Sequence, residues 1–375
     1  MKLVSTRLYN SGTRLEEVDH LDSDTVLQLT DRIEDQELDN IILEKGPPGF
    51  IVATWFSYFD AKSGVPVHCV PIYLEYLAQF WRKYKLVESP TTVKSFNFLI
   101  NKKQINRYLA IKFLQYFKLM PNAAYTYSGM GRNYDMSPLL TDLDNRPWIN
   151  PELRAHLLKP IDLDPLWIPP AQDQISWPRA SESQISAETS LDFARPDYGY
   201  DSDECGGLIS AYLGGINDIM NQTAVSLVCE SNAFELSTTW TEKSLWPVLS
   251  LTIPIWIGGY RQVDEWRRMG FDTFDDIINN RYQHCYSMIE RCYLAITDNF
   301  EILYNIEFAQ ETRDKIMNRL LANRELMLSD HLEKFNNSII NTWPQPVQDA
   351  IMPSFQQEFR GSKGFFYFNQ NITTP

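Results

Sequence analysis

The sequence predicts an α/β fold: two successive parallel-sheet units, the second holding a long insertion and followed by a helical region. Three observations lead to it. A strand–loop–helix–strand pattern spans residues 93–128. The same pattern returns at residues 224–257. From residue 281 onward the apolar spacing is helical.

Residues 1–90 read as a small α/β unit. The run Phe50-Ile51-Val52-Ala53-Thr54-Trp55-Phe56 is strand-like, and residues 72–84 have helical spacing with Leu74, Leu77 and Trp81 on one face. Pro90 then breaks the chain. The second unit, residues 91–290, opens with a buried-strand pattern at 95–100 and a polar, basic loop, Asn101-Lys102-Lys103-Gln104. An amphipathic helix follows over 107–118, with Leu109, Phe113, Leu114 and Phe117 on its apolar face, and then a strand at 125–128 stopped by Gly129.

Residues 130–215 are rich in proline and acidic pairs, and three tryptophans (Trp148, Trp167, Trp177) lie beside or near proline. This stretch reads as an insertion whose apolar anchors hold it on the domain. The pattern resumes with an apolar run ending at Cys229-Glu230. Thr241-Glu242-Lys243 then stands at a helix start, before the β-branched run 253–257 and Gly258-Gly259. Residues 291–375 form the helical C-terminal region, with a heptad-like set at Ile316, Leu320 and Leu321.

Composition excludes several classes. Of 375 residues, 44% are hydrophobic and 13% aromatic, which is the profile of a folded chain rather than a disordered one. A net charge of -14 argues against non-specific wrapping of a phosphate backbone. No run of 18 apolar residues predicts a transmembrane segment. The first residues lack the apolar core of a signal peptide, so a cytoplasmic location is expected. Five scattered cysteines without a Cys-x-x-Cys pair point to reduced thiols, not to a zinc site or a disulfide framework.

The helix start at Thr241 carries the chemistry. Free N–H groups and a partial positive charge at such a terminus suit an anion such as a diphosphate. Thr241 also suits an ordinary N-cap. Glu230, at the carboxyl end of a strand, stands where α/β sheets bind ligands. The triplets Asp142-x-Asp144, Asp162-x-Asp164 and Asp201-x-Asp203 imitate a metal motif, but none follows a convincing strand, and no metal is expected.

The strand and Arg107-bearing helix, the strand ending at Glu230, Thr241-Glu242-Lys243, and Pro254-Ile255-x-x-Gly258 together resemble the donor domain of fucosyltransferase-like (α-1,3-fucosyltransferase-type) glycosyltransferases. They also resemble uncharacterised phage- and virus-encoded glycosyltransferase-like proteins, in which a segment like Gly270-Phe271-Asp272-Thr273-Phe274 follows the same core. The resemblance covers roughly residues 93–128 and 224–282. It implies a GT-B-like fold of two Rossmann-like domains, with residues 1–90 on the acceptor side. It further implies inverting transfer from a nucleotide-diphosphate sugar, a GDP- or UDP-sugar, as co-substrate, without a resident cofactor. Arg107 and Lys243 would contact the diphosphate, and Glu242 the ribose hydroxyls. Two cations can neutralise that leaving group without a metal, and a carboxylate is an acceptor suited to a diol. Where the family commonly has Glu-Asn, this chain has Glu230-Ser231, so the sugar stays open.

An inverting transfer needs a carboxylate base from the first domain. Asp60 is the first candidate, then Glu75 and His68. Trp55, Tyr58 and Trp256 are candidates for sugar stacking or for core packing. The acceptor is a surface glycan, a protein, or a hydroxymethylated base in phage or viral DNA, the last using a groove lined by Lys102, Lys103 and Arg107. The alternative is a non-catalytic structural or interaction protein that keeps the fold.

Overall fold

The computed structural model describes residues 1–6, 13–29, 35–54, 64–82, 92–100, 104–127, 140–161, 217–230 and 240–361. It is a mixed α/β protein with two separate parallel sheets. The first is made of β1 (Lys2–Ser5), β2 (Thr13–Arg14), β3 (Thr25–Leu29), β4 (Phe50–Ala53) and β5 (Val67–Cys69), in the order β2-β1-β3-β4-β5. Helix α1 (Asp35–Lys45) joins β3 to β4, and α2 (Ile72–Trp81) leaves β5. The predicted strand at 50–56 ends at Ala53, and the predicted helix face of Leu74, Leu77 and Trp81 is buried.

The second sheet contains β6 (Lys94–Ile100), β7 (Ala123–Tyr127), β8 (Thr223–Cys229) and β9 (Ile253–Ile257), in the order β7-β6-β8-β9. Helix α3 (Ile105–Tyr116) connects β6 to β7. Within the insertion, α4 (Leu140–Asp144) and α5 (Pro151–Leu158) are described, and Leu143, Leu153, Leu157 and Ile161 anchor it in the core; α6 (Asn217–Asn221) follows it. Helix α7 (Glu242–Leu249) joins β8 to β9, and α8 (Gln262–Arg268) follows β9.

Every residue of β8 and β9 is buried, as expected of central parallel strands covered on both faces. The polar residues in this layer are matched to one another. Asn97 Nδ2 donates to Thr223 Oγ1 at 2.8 Å and to Ser226 Oγ at 2.7 Å, and Ser226 meets Thr252 at 2.6 Å. Burying them unpaired would be costly.

Helix α3 departs from the amphipathic expectation: its residues from Ile105 to Leu114 are all buried. The cause is α9 (Met288–Thr297), which covers its outer face with Met288, Ile289, Cys292 and Ile296. Helices α10 (Phe300–Tyr304), α11 (Ile306–Lys315), α12 (Met317–Leu328) and α13 (His331–Ile340) continue around the second sheet. The heptad-like set is split, because Ile316 falls between α11 and α12.

The last helix, α14 (Gln345–Gly361), returns to the first sheet. Ile340, Trp343, Val347, Ile351 and Phe355 pack with Leu3, Val26, Val52, Val70 and Ile72. Between the sheets, α2 sits in a second core with Trp240, Leu245, Trp246, Trp256 and Trp266, so one apolar layer joins both halves.

Among the described residues, no helix is long and apolar enough to cross a membrane.

Candidate functional site

Strand β6 is the topological switch of the second sheet: the chain leaves it toward β7 on one side and later pairs β8 on the other. In such sheets the crevice at the carboxyl ends of the two diverging strands is the usual ligand site. Helices α3 and α7 both begin at that edge, and four of the candidate residues meet there.

Arg107, on the first turn of α3, is 1% exposed, and its Nη2 donates to the carbonyl of Cys229 at 3.4 Å. Its neighbour Asn106 donates to the carbonyl of Glu230 at 2.8 Å. Helix α3 is thereby fastened across the switch point to the end of β8. Glu230 is fully buried; its own N–H donates to the Ile257 carbonyl at 3.0 Å, which joins it to β9. Its carboxylate accepts from Thr241 Oγ1 at 2.6 Å and from Ser244 Oγ.

Thr241 is the N-cap of α7, accepting from the N–H of Lys243 at 3.3 Å. Glu230 thus holds the capping residue and the first turn of the helix, and its carboxylate faces inward to them. Lys243 is half-buried, with its ammonium 5.8 Å from the centroid of the Trp246 ring. Beneath it a small cavity is lined by Asn97, Leu99, Met220, Val228 and Cys229. Glu242 opens α7, but its side chain lies outside the described residues.

Three participants escaped sequence reasoning: Asn106, Ser244 and Gln262. Gln262 is fully buried and donates to Ser244 Oγ at 3.3 Å. A Cβ at Gly258, just after β9, would fall 1.5 Å from Gln262 Oε1, so a side chain there would push this amide aside. The spacing of Gly258 and Gln262 was the available signal. The Cys229 thiol, in the same layer, is pushed well above its ordinary pKa by burial, which excludes a resting thiolate.

Asp60 falls outside the described residues, as do Trp55, Tyr58, Lys102, Lys103 and the Asp162 and Asp201 triplets. His68 stacks on Phe50 with centroids 4.1 Å apart, and burial lowers its pKa. Glu75 accepts from Asn336 Nδ2 of α13 at 2.7 Å. Burial raises its pKa, with Glu333 adding to the effect while Asn336 and Arg82 oppose it. Trp256 is 1% exposed and stacks on Trp266 with centroids 5.1 Å apart, so it is core and not a sugar platform. Asp142 is held by Arg146 and Ser287, and Asp144 by Arg154. Among the described residues no group of three or more His, Cys, Asp or Glu is arranged to hold a metal.

The Glu75 contact gives a pH test. Its folded-state pKa is raised, so its contribution to stability is complete below the ordinary value of 4.5 and is lost as pH rises through the folded value. Glu75→Gln keeps an acceptor for Asn336 and has nothing to ionise. The melting temperature of the native protein is expected to fall relative to that of Glu75→Gln between pH 4 and 8. A pH-independent difference in paired thermal melts would refute the assignment.

Comparison with protein-family models, with curated proteins and with solved structures finds no match to this chain.

Proposed function

We propose that this chain is a nucleotide-sugar-dependent glycosyltransferase of GT-B-like architecture, with the donor diphosphate at the switch point of the second sheet. One observation carries the reading: Arg107 and Lys243 both stand at the carboxyl edge where α7 presents its N-terminus. Two cations and the positive end of a helix dipole together suit the charge of a diphosphate. Two parallel-sheet units, with a last helix crossing back to the first, agree with the architecture.

In the reaction a carboxylate removes the proton of an acceptor hydroxyl. That oxygen forms a bond to the anomeric carbon from the face opposite the leaving group. The bond from the anomeric carbon to the diphosphate oxygen breaks, and the nucleoside diphosphate departs with the electron pair. Lys243, Arg107 and the α7 dipole stabilise its developing charge. Asp60, which follows β4 in the sequence, is preferred as the base because Glu75 is engaged by Asn336. The acceptor is a glycan or a hydroxymethylated base. Binding that falls steeply with salt identifies the nucleic acid.

The burial of Arg107 and Glu230 favours a second reading, an interaction protein in which this cluster only holds the fold. Thermal melts with GDP, UDP, ADP and CMP separate the two. A ligand bound only by the native state raises the melting temperature. A shift with one nucleotide, lost in Lys243→Ala without loss of the unliganded melting temperature, is expected. No shift with any of the four supports the interaction protein.

A further inference from the structure

We infer that Tyr260 and Tyr286 form a stacking platform for the base of a nucleoside diphosphate whose phosphates lie at Lys243 and Arg107; this rests on the nucleotide reading above. Tyr286 is 64% exposed, and its ring is stacked on Tyr260 with centroids 4.6 Å apart and planes within 12°. His284, itself 54% exposed, stands edge-on to Tyr260 at 6.4 Å.

Position ties the pair to the crevice. Tyr260 follows Ile257 by three residues, and the Ile257 carbonyl accepts from the N–H of Glu230. Three residues reach at most about 10 Å, which is the scale separating a nucleobase from its own phosphates. The pair therefore stands on the same carboxyl edge as the α7 N-terminus, over the neighbouring strand.

The platform is also preorganised. Gln283, 1% exposed, donates to the Trp256 carbonyl at 2.7 Å and accepts from the N–H of Val263 at 3.2 Å. Its own carbonyl accepts from the N–H of Arg261, the residue after Tyr260, at 2.9 Å. Arg291, also 1% exposed, donates to the carbonyls of Cys285 at 2.8 Å and Tyr286 at 3.2 Å. Buried side chains thus fix both loop backbones while a ring stays in solvent. Holding an aromatic ring in place before binding lowers the ordering cost that a ligand would otherwise meet. A base stacks on such a ring whatever its hydrogen-bonding edge, so the platform supplies affinity and leaves base choice to other contacts.

The test is calorimetric titration of the full chain with GDP, UDP and inorganic pyrophosphate. Tyr286→Ala is expected to weaken the nucleotides on the order of tenfold and to leave pyrophosphate unchanged. Tyr286→Phe keeps the ring and should keep the affinity, while Lys243→Ala should weaken all three ligands. If Tyr286→Ala binds nucleotides like the native chain while Lys243→Ala does not, the platform is wrong and the nucleotide site stands. If Tyr286→Ala weakens pyrophosphate equally, the residue shapes the loop and is not a base contact. If the native chain binds neither nucleotide, the platform and the nucleotide reading fall together.

Discussion

A chain ending at Asn341 is expected to lose the folded first sheet. Trp343, Val347, Ile351 and Phe355 are each no more than 5% exposed, and all lie against Leu3, Val26, Val52, Val70 and Ile72. Burying one such side chain contributes about 1.5–3 kcal/mol, so four contribute roughly 6–12 kcal/mol. That equals the whole stability of an ordinary domain, about 5–15 kcal/mol. Ser354 also donates to Gln28 Oε1 at 2.7 Å, and Gln28 lies fully buried in β3. The truncated chain should show an early, non-cooperative transition in circular dichroism and cleavage within residues 1–54 under limited proteolysis. Ile351→Asp sets an unpaired charge at a fully buried position and should cost more than about 4 kcal/mol by the same route. Truncation that leaves a single cooperative melt within a few degrees of the native chain would show that the first sheet stands without α14.

The second sheet was legible where runs of apolar residues were long. β8, β9, the start of α7 at Thr241 and the anchoring of the insertion all follow from such runs and from one capping residue. The first sheet was legible only at β4 and the helix α2 beside it. β3 reads Thr-Val-Leu-Gln-Leu, and its buried Gln28 is satisfied by Ser354, 326 residues further on. No local pattern reports a partner that distant. The apolar stripe of α14 likewise marks a buried face without naming the sheet that receives it. Arg107 illustrates the same limit at the site. The resemblance made it a diphosphate contact, yet α9 closes over α3 and leaves it 1% exposed, against a strand-end carbonyl. Sequence spacing gave the order of the site residues. It did not give the inward turn of the Glu230 carboxylate, which depends on Thr241, Ser244 and Gln262 meeting in one buried layer.

Replacing that carboxylate tests how the layer links fold to site. Glu230→Ala removes the acceptor of Thr241 and Ser244 and leaves both hydroxyls in a buried space. Hydrogen bonds to a charged group contribute about 1.5–3 kcal/mol each, so the expected loss is about 3–6 kcal/mol, read from urea denaturation. Glu230→Gln keeps the shape and one acceptor, and should lose less than half as much. Thr241→Ala, which removes only the cap, should cost about 1 kcal/mol. Because Glu230 orients the first turn of α7, Glu230→Ala should lose nucleotide binding together with stability. Lys243→Ala leaves the Thr241 and Ser244 hydrogen bonds to Glu230 in place, and should lose binding with less loss of stability than Glu230→Ala. A Glu230→Ala chain within about 0.5 kcal/mol of the native one would mean that the α7 terminus is held by something else. The contrast between the two variants separates a residue that builds the site from one that meets the ligand, a distinction that burial alone does not make for Arg107, whose charge lies between the two roles.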